Sequence, residues 1–171
     1  SLRITSLLRR RFSADARYYK LVRDIFGIYP SNIEPYKLAL IHRSASVTMP
    51  DGSILNNERL EFLGDAVLET ISSEYLFLHF PDMDEGLLTQ TRSKAVSRAT
   101  LNRLCVEIGL SDHVVSNAGG SFTQKHLYGD ALEAMIGAIY LDQGYKRTSK
   151  VVNRLFMSHI DLDEMTHTET D

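Results

Sequence analysis

The chain has 171 residues, 43% of them hydrophobic and 24% charged, with ten Gly and four Pro. That is the composition of one ordinary globular domain, which excludes a disordered or collagen-like chain. The single cysteine excludes an intrachain disulfide framework, and the longest apolar runs fall far short of the roughly 18 residues of a membrane span. The formal charge is −3, but residues 160–171 hold five acids and no Lys or Arg, so residues 1–159 carry a small positive balance. Charge therefore neither demands nor excludes a polyanionic partner.

The pattern is helical almost throughout. Residues 2–12 form a basic, apolar leader, and Ser13 stands where the cap of a helix over 14–26 belongs. Arg9, Arg10 and Arg11 follow Leu7 and Leu8 instead of preceding a long apolar stretch, so a secretory leader is not expected and a cytoplasmic chain is. Gly27, Pro30 and Pro35 punctuate a connector over 27–35. A short helix follows at 36–43, then a turn at Met49-Pro50-Asp51-Gly52, with Asn56 and Asn57 in capping position for a long helix over 58–80 that ends at Pro81. Further helices are predicted over 85–96, 97–109, 126–141 and 149–159, with a loop at 117–121. No strand alternation is sustained and no repeat appears, so the predicted fold is all-α, a compact multi-helix bundle. Residues 160–171, Thr-rich and acidic, read as a linker or cut end. Cys105 falls on an apolar helix face and reads as inert packing.

On a helical wheel Glu58, Glu61 and Asp65 share an arc of roughly 60°, opposite Leu60, Leu63, Val67 and Ile71. An amphipathic helix with a solvated acidic face is one account. Against it, Phe62 and Leu68 lie on or beside the acidic face, and neither Lys nor Arg follows an acid at i+4. Asp130 and Glu133 repeat the device at i, i+3, with Leu132, Met135, Ile136 and Ile139 behind them and Gly129 and Gly137 near the acids, where a backbone can approach closely. Leu141 on that side makes this helix apolar nearly all round, and so central. Two such helices repel if they pack acid to acid, unless the acids diverge or a cation lies between them. Carboxylate-only ligation suits a hard dication, Mg²⁺ or Mn²⁺; no Cys/His cluster favours zinc, and Glu61 and Glu133 are followed at i+3 by Gly64 and Ile136, not by the His that a di-iron bundle wants. The main use of such a site is phosphoryl hydrolysis, where one ion, or a pair about 4 Å apart, neutralises the developing charge.

The run Asn57-Glu58-Arg59-Leu60-Glu61-Phe62-Leu63-Gly64-Asp65-Ala66 resembles the defining motif of the ribonuclease III family. Asp130-Ala131-Leu132-Glu133-Ala134, followed by Ile136 to Asp142, resembles the family's second block, with further echoes at His42-Arg43-Ser44, Asp84-Glu85-Gly86 and Arg92 to Val96. The likeness spans about residues 18–159. It implies a homodimeric endonuclease domain that cuts both strands of double-stranded RNA, leaving 5′-phosphates, 3′-hydroxyls and short 3′ overhangs, in RNA processing and decay. It implies Glu61, Asp130 and Glu133 as ligands of Mg²⁺, with Mn²⁺ as substitute, and Asp65 and Glu133 as catalytic acids. Glu58 and Glu85 match further cleft acids, Glu85 approaching the partner subunit's site, and Phe62 matches an aromatic that inserts into a socket on the other subunit. All six acids are present, which speaks against a non-catalytic module that kept only the fold.

Three departures stand out. The double-stranded-RNA-binding domain usual in the family does not follow within this sequence, which ends at Asp171; Gly129 stands where Ala is common; and residues 115–124 differ from the usual pattern. Arg92, Lys94, Arg98 and Arg103 are candidates for contacts to the RNA backbone, with a solvated basic face as the alternative. His42 reads as a hydrogen-bonded structural histidine beside buried-type neighbours. The other histidines receive no site role.

Overall fold

The computed structural model describes the backbone of residues 2–117 and 121–157 and the side chains of residues 14–117 and 126–157. The chain is all-α, as the hydrophobic periodicity predicts. Helix α1 (Leu2–Phe26) is followed by α2 (Glu34–Ala39), a small hairpin of β1 (Val47–Thr48) and β2 (Ile54–Leu55), then α3 (Glu58–His79), α4 (Glu85–Ala95), α5 (Arg98–Glu107), α6 (Ser121–Gln143) and α7 (Tyr145–Val152), the last running into a π-helical turn at Asn153–Met157. Residues 160–171, His159 and His167 lie outside the described residues, as does most of the divergent 115–124 segment at the level of side chains.

Several boundaries differ from expectation for local reasons. Ser13 lies inside a helix instead of before one: no Gly or Pro interrupts residues 2–26, so α1 is continuous and breaks only at Gly27, which takes φ +67°. Helix α2 begins at Glu34, not Tyr36, because Pro35 occupies its first turn, where the missing N–H costs nothing. It also ends early. Ile41 leaves to form a parallel bridge with Val115, with Val115 N–H donating to the Leu40 carbonyl and His42 N–H to that of Val115. The turn at 49–52 is flanked by two-residue strands, too short for alternation to register, pairing Val47 with Leu55 and Thr48 with Ile54. Helix α6 starts at Ser121, and α7 starts at Tyr145 directly after Gly144, at φ +83°.

Helix α6 is the axis of the core. Ala131 through Ile139 are all buried, including Leu132, Met135, Ile136 and Ile139 at 0% exposure. Leu141, expected to complete its apolar girdle, is 59% exposed, because α6 has left the core by that turn. Helix α3 packs along it through Leu60, Val67, Leu68 and Ile71. The two backbones meet at Gly64 and Gly137: a Cβ on Gly64 would overlap the Glu133 carbonyl, and one on Gly137 the Leu60 carbonyl. The other end of α6 is moored through Asp142, which accepts from Ser31 N–H (3.0 Å), Asn32 N–H (2.8 Å) and Tyr36 Oη (2.7 Å). Cys105 is fully buried and burial pushes its thiol up to about 12, which makes it the inert packing residue predicted. No helix among the described residues is long and apolar enough to cross a membrane.

Candidate active site

The close α3–α6 contact decides which side chains face each other. Gly64 and Gly137 bring the helices together one turn from Glu61 and Glu133, so the acids of both helices share one side of the seam. Each of Glu61, Asp130 and Glu133 offers a carboxylate oxygen, and these oxygens lie within 4.8 Å of one another. Asp65 completes the group by hydrogen bonding with Glu133, and Glu61 bonds with Asp130. The four acids thus meet as two pairs, each with one partner from α3 and one from α6.

Like charges this close are costly. Burial, then the hydrogen bond and charge of Asp65, push the Glu133 carboxyl up to about 9; burial, then the charge and hydrogen bond of Asp130, raise Glu61 to about 7. Glu133 is only 8% exposed, so water relieves little of this. A cation among the three oxygens would relieve it, and a donor set of carboxylates alone fits a hard dication.

The acids line a cleft of about 660 Å³, with Glu58, Arg43 and His42 on one wall and Arg98 and His126 on another. Glu58 faces Arg43 at 3.8 Å. Its helix start is fixed by Asn56, whose Oδ1 accepts from Glu58 N–H (3.0 Å), while the buried Asn57 donates instead to the Ala39 carbonyl (3.1 Å). His42 is structural, as read: its Nδ1 accepts from Ser44 N–H (3.1 Å), and burial holds its pKa below the usual value. It nevertheless forms part of the cleft wall. His126, given no site role from the sequence, lines the cleft four residues before Asp130 on α6, and Arg98 Nη1 lies 3.2 Å from its Nδ1. Its i, i+4 spacing to Asp130 is the sequence signal for that place.

Of the basic candidates, Arg98 alone lines the cleft, where its charge offsets part of the rise at Glu61. Arg92 is turned away, donating to Ser73 Oγ (2.9 Å) and facing Glu69 at 3.7 Å. Lys94 is half-buried outside the cleft lining, and the exposed Arg103 pairs with Glu107. Glu85 lies apart as well, in a pocket of about 470 Å³ between α3 and α4 that it shares with Phe77, Leu88 and Arg92. Phe62, on the acidic side of α3, is 82% exposed.

The profile of the Ribonuclease-III-like family matches residues 32–160. Ribonuclease 3 of Bacteroides thetaiotaomicron is 45% identical over 165 residues, covering 96% of this chain and 53% of that protein. The Bacteroides fragilis protein of the same name is 44% identical, covering 96% and 57%. The chain thus spans about half the length of these curated relatives. Among solved structures, the nuclease domain of ribonuclease III from Campylobacter jejuni superposes with a TM-score of 0.68 at 31% identity, covering 82% of this chain and 96% of that one; that structure is described as having a flexible region involved in dimer formation.

Proposed function

This chain belongs to the ribonuclease III family, and on that premise we propose that it is an endonuclease domain hydrolysing phosphodiester bonds of double-stranded RNA on both strands. The products are 5′-phosphates and 3′-hydroxyls with short 3′ overhangs, and the setting is cytoplasmic RNA processing and decay. One observation carries the reading: three carboxylate oxygens from two helices converge within 4.8 Å, with a fourth acid hydrogen-bonded to the most buried of them.

Glu61, Asp130 and Glu133 would hold Mg²⁺, or Mn²⁺ in its place. Such an ion supplies charge neutralisation at a phosphodiester and a water of lowered pKa. The chain's own groups do the rest. Asp65, bonded to Glu133, is placed to orient a water and accept its proton. Arg98 supplies the cleft's positive wall, where an RNA phosphate can sit. Glu58 and Arg43 frame the opposite side.

The active form is a homodimer. Phe62 is too exposed for a large aromatic on a solvated face, and it would seat against Leu76, Phe77 and Leu88 in the pocket of a second copy between α3 and α4. That docking would carry Glu85, a wall of the same pocket, toward the other copy's cleft. The test is labelled duplex RNA incubated with Mg²⁺, with Ca²⁺ and with chelator. Cleavage with Mg²⁺ that disappears with chelator supports the reading; cleavage that survives chelation, or absence of cleavage with Mg²⁺ and Mn²⁺, refutes it.

A further inference from the structure

Away from the acid cleft, α7, which follows the far end of α6, carries the opposite charge. Residues 145–157 contain Lys146, Arg147, Lys150 and Arg154 and no Asp or Glu. Arg147, Lys150 and Arg154, at i, i+3 and i+7, fall on one side of α7 and its continuation and line a pocket of about 390 Å³. The opposite wall is the segment Phe26 to Tyr29, where α1 ends. Among the described residues, no carboxylate lines this pocket. Asp142, beside the lining residue Gln143 in sequence, is occupied by Ser31, Asn32 and Tyr36. Arg154 Nη2 donates to the Phe26 carbonyl (2.8 Å) and ties the two walls together, and Arg147 donates to Gln143. Lys150 has no side-chain partner among the described residues. Tyr29, 75% exposed, stands at the rim with its hydroxyl available.

We infer that this pocket is a second anchoring point for the RNA substrate, taking a backbone phosphate between Arg147 and Lys150, with Tyr29 at its rim. The inference rests on the nuclease reading above. Arg147 and Lys150, side by side on one cavity, repel each other unless an anion joins them, and Arg, Lys and Tyr are side chains that contact nucleic-acid phosphates. Gln143 lies thirteen residues beyond Asp130, so the pocket is about 20 Å along α6 from the acids. A duplex is held by shape and by backbone contacts spread along its length, and a second contact at that distance would fix its path across the cleft.

The test is fluorescence anisotropy with a labelled RNA duplex in chelator, at several salt concentrations, beside Mg²⁺-dependent cleavage of the same duplex by the wild-type chain. Lys150→Ala, whose side chain holds no structural bond, is measured alone and with Arg147→Ala; Lys146→Ala removes the same charge from the same helix outside the pocket. The double variant is expected to bind about tenfold more weakly and to lose about two from the slope of log affinity against log salt, with Lys150→Ala intermediate and Lys146→Ala near wild type. Wild-type cleavage with unchanged affinity in the pocket variants overturns this inference and leaves the nuclease reading standing. Equal weakening by Lys146→Ala overturns it too, as would inorganic phosphate shifting the Tyr29 and Arg147 amide resonances where the duplex does not. A wild-type chain that neither binds nor cuts the duplex refutes the nuclease reading, and this inference with it.

Discussion

The carboxyl of Asp65 on α3 is hydrogen-bonded to that of Glu133 on α6, across the contact where Gly64 lets the two backbones touch. Two acids can share such a bond only if one keeps a proton, and burial assigns it to Glu133, which is raised to about 9. The metal-free centre therefore holds protons at neutral pH that a dication would displace.

Stability of the metal-free protein should fall as pH rises. Glu133 and Glu61 bind protons more tightly in the folded chain than unfolded, where they titrate near 4.5. Their contribution is complete below that value. It is lost as pH rises, through about 7 for Glu61 and about 9 for Glu133. In chelator the melting temperature is expected to drop by roughly 5 °C between pH 5 and 9, and millimolar Mg²⁺ at pH 8 to restore it, since the ion binds only the folded site. Thermal melts with and without Mg²⁺ check both; a flat profile and no response to Mg²⁺ would contradict a preformed acid centre.

Glu133→Gln should separate charge from packing. Because the native carboxyl is protonated at pH 7, the neutral amide should leave the chelated protein's melting temperature unchanged or higher, while removing its response to Mg²⁺. Duplex cleavage should fall on the order of 10⁴-fold. Glu133→Ala should likewise abolish cleavage while leaving the fold and the proposed homodimer intact. Retained cleavage in either variant would remove Glu133 from the mechanism.

Gly64→Ala should be far more disruptive than its one added methyl suggests, since the Cβ would overlap the backbone carbonyl of Glu133. Overpacking of this kind costs roughly 2–3 kcal/mol. At Gly86 the same change meets only Asp84 Oδ1 at 3.6 Å and should stabilise α4 by about 0.5 kcal/mol. Urea denaturation of the two variants decides whether the helix seam is as tight as described.

Phe62→Ala should convert the proposed homodimer to monomer without lowering the monomer's stability, because the ring is 82% exposed within the chain. Sedimentation equilibrium across micromolar concentrations reads this directly, and an unchanged dimer would show that the aromatic is not an interface anchor.

Asp142→Asn should cost about 1.5–3 kcal/mol by weakening charge-assisted bonds to Ser31 and Asn32 and the bond from Tyr36. Burial alone would raise this carboxyl, but the hydrogen bonds from Tyr36, Gln143, Asn32 and Ser31 outweigh it and hold its pKa below 3.8. Its contribution is therefore present above that value and lost as pH falls through the lowered pKa. The penalty of the variant should shrink on acidification, which melts near pH 3 would measure.

The helices and the acid stripes were legible because both depend on spacing within one element. Glu61 and Asp65 on α3, and Asp130 and Glu133 on α6, fall on common faces whatever the rest of the chain does. That the two stripes face each other depends on Gly64 meeting Gly137, a contact between residues 73 apart that no local pattern encodes. For the same reason Arg92 and Arg98 looked equivalent in sequence: only packing turns one toward Glu69 and the other into the cleft. The continuity of α1 past Ser13 is not legible from a cap-type residue alone, because Ser is also tolerated inside a helix that no Gly or Pro interrupts. The i, i+4 spacing of His126 and Asp130 is visible in the sequence, but that the cleft opens on their side of α6 depends on the same long-range packing.

Calorimetric titration of Mn²⁺ into the chelator-stripped chain at pH 7.5, beside Glu61→Gln and Asp130→Asn, probes the three-carboxylate centre most directly. The wild-type chain should bind with release of protons, seen as a heat that changes with the ionisation enthalpy of the buffer, and each variant should bind at least tenfold more weakly. Equal binding by all three proteins, or binding with no proton release, would contradict a metal centre built from Glu61, Asp130 and Glu133.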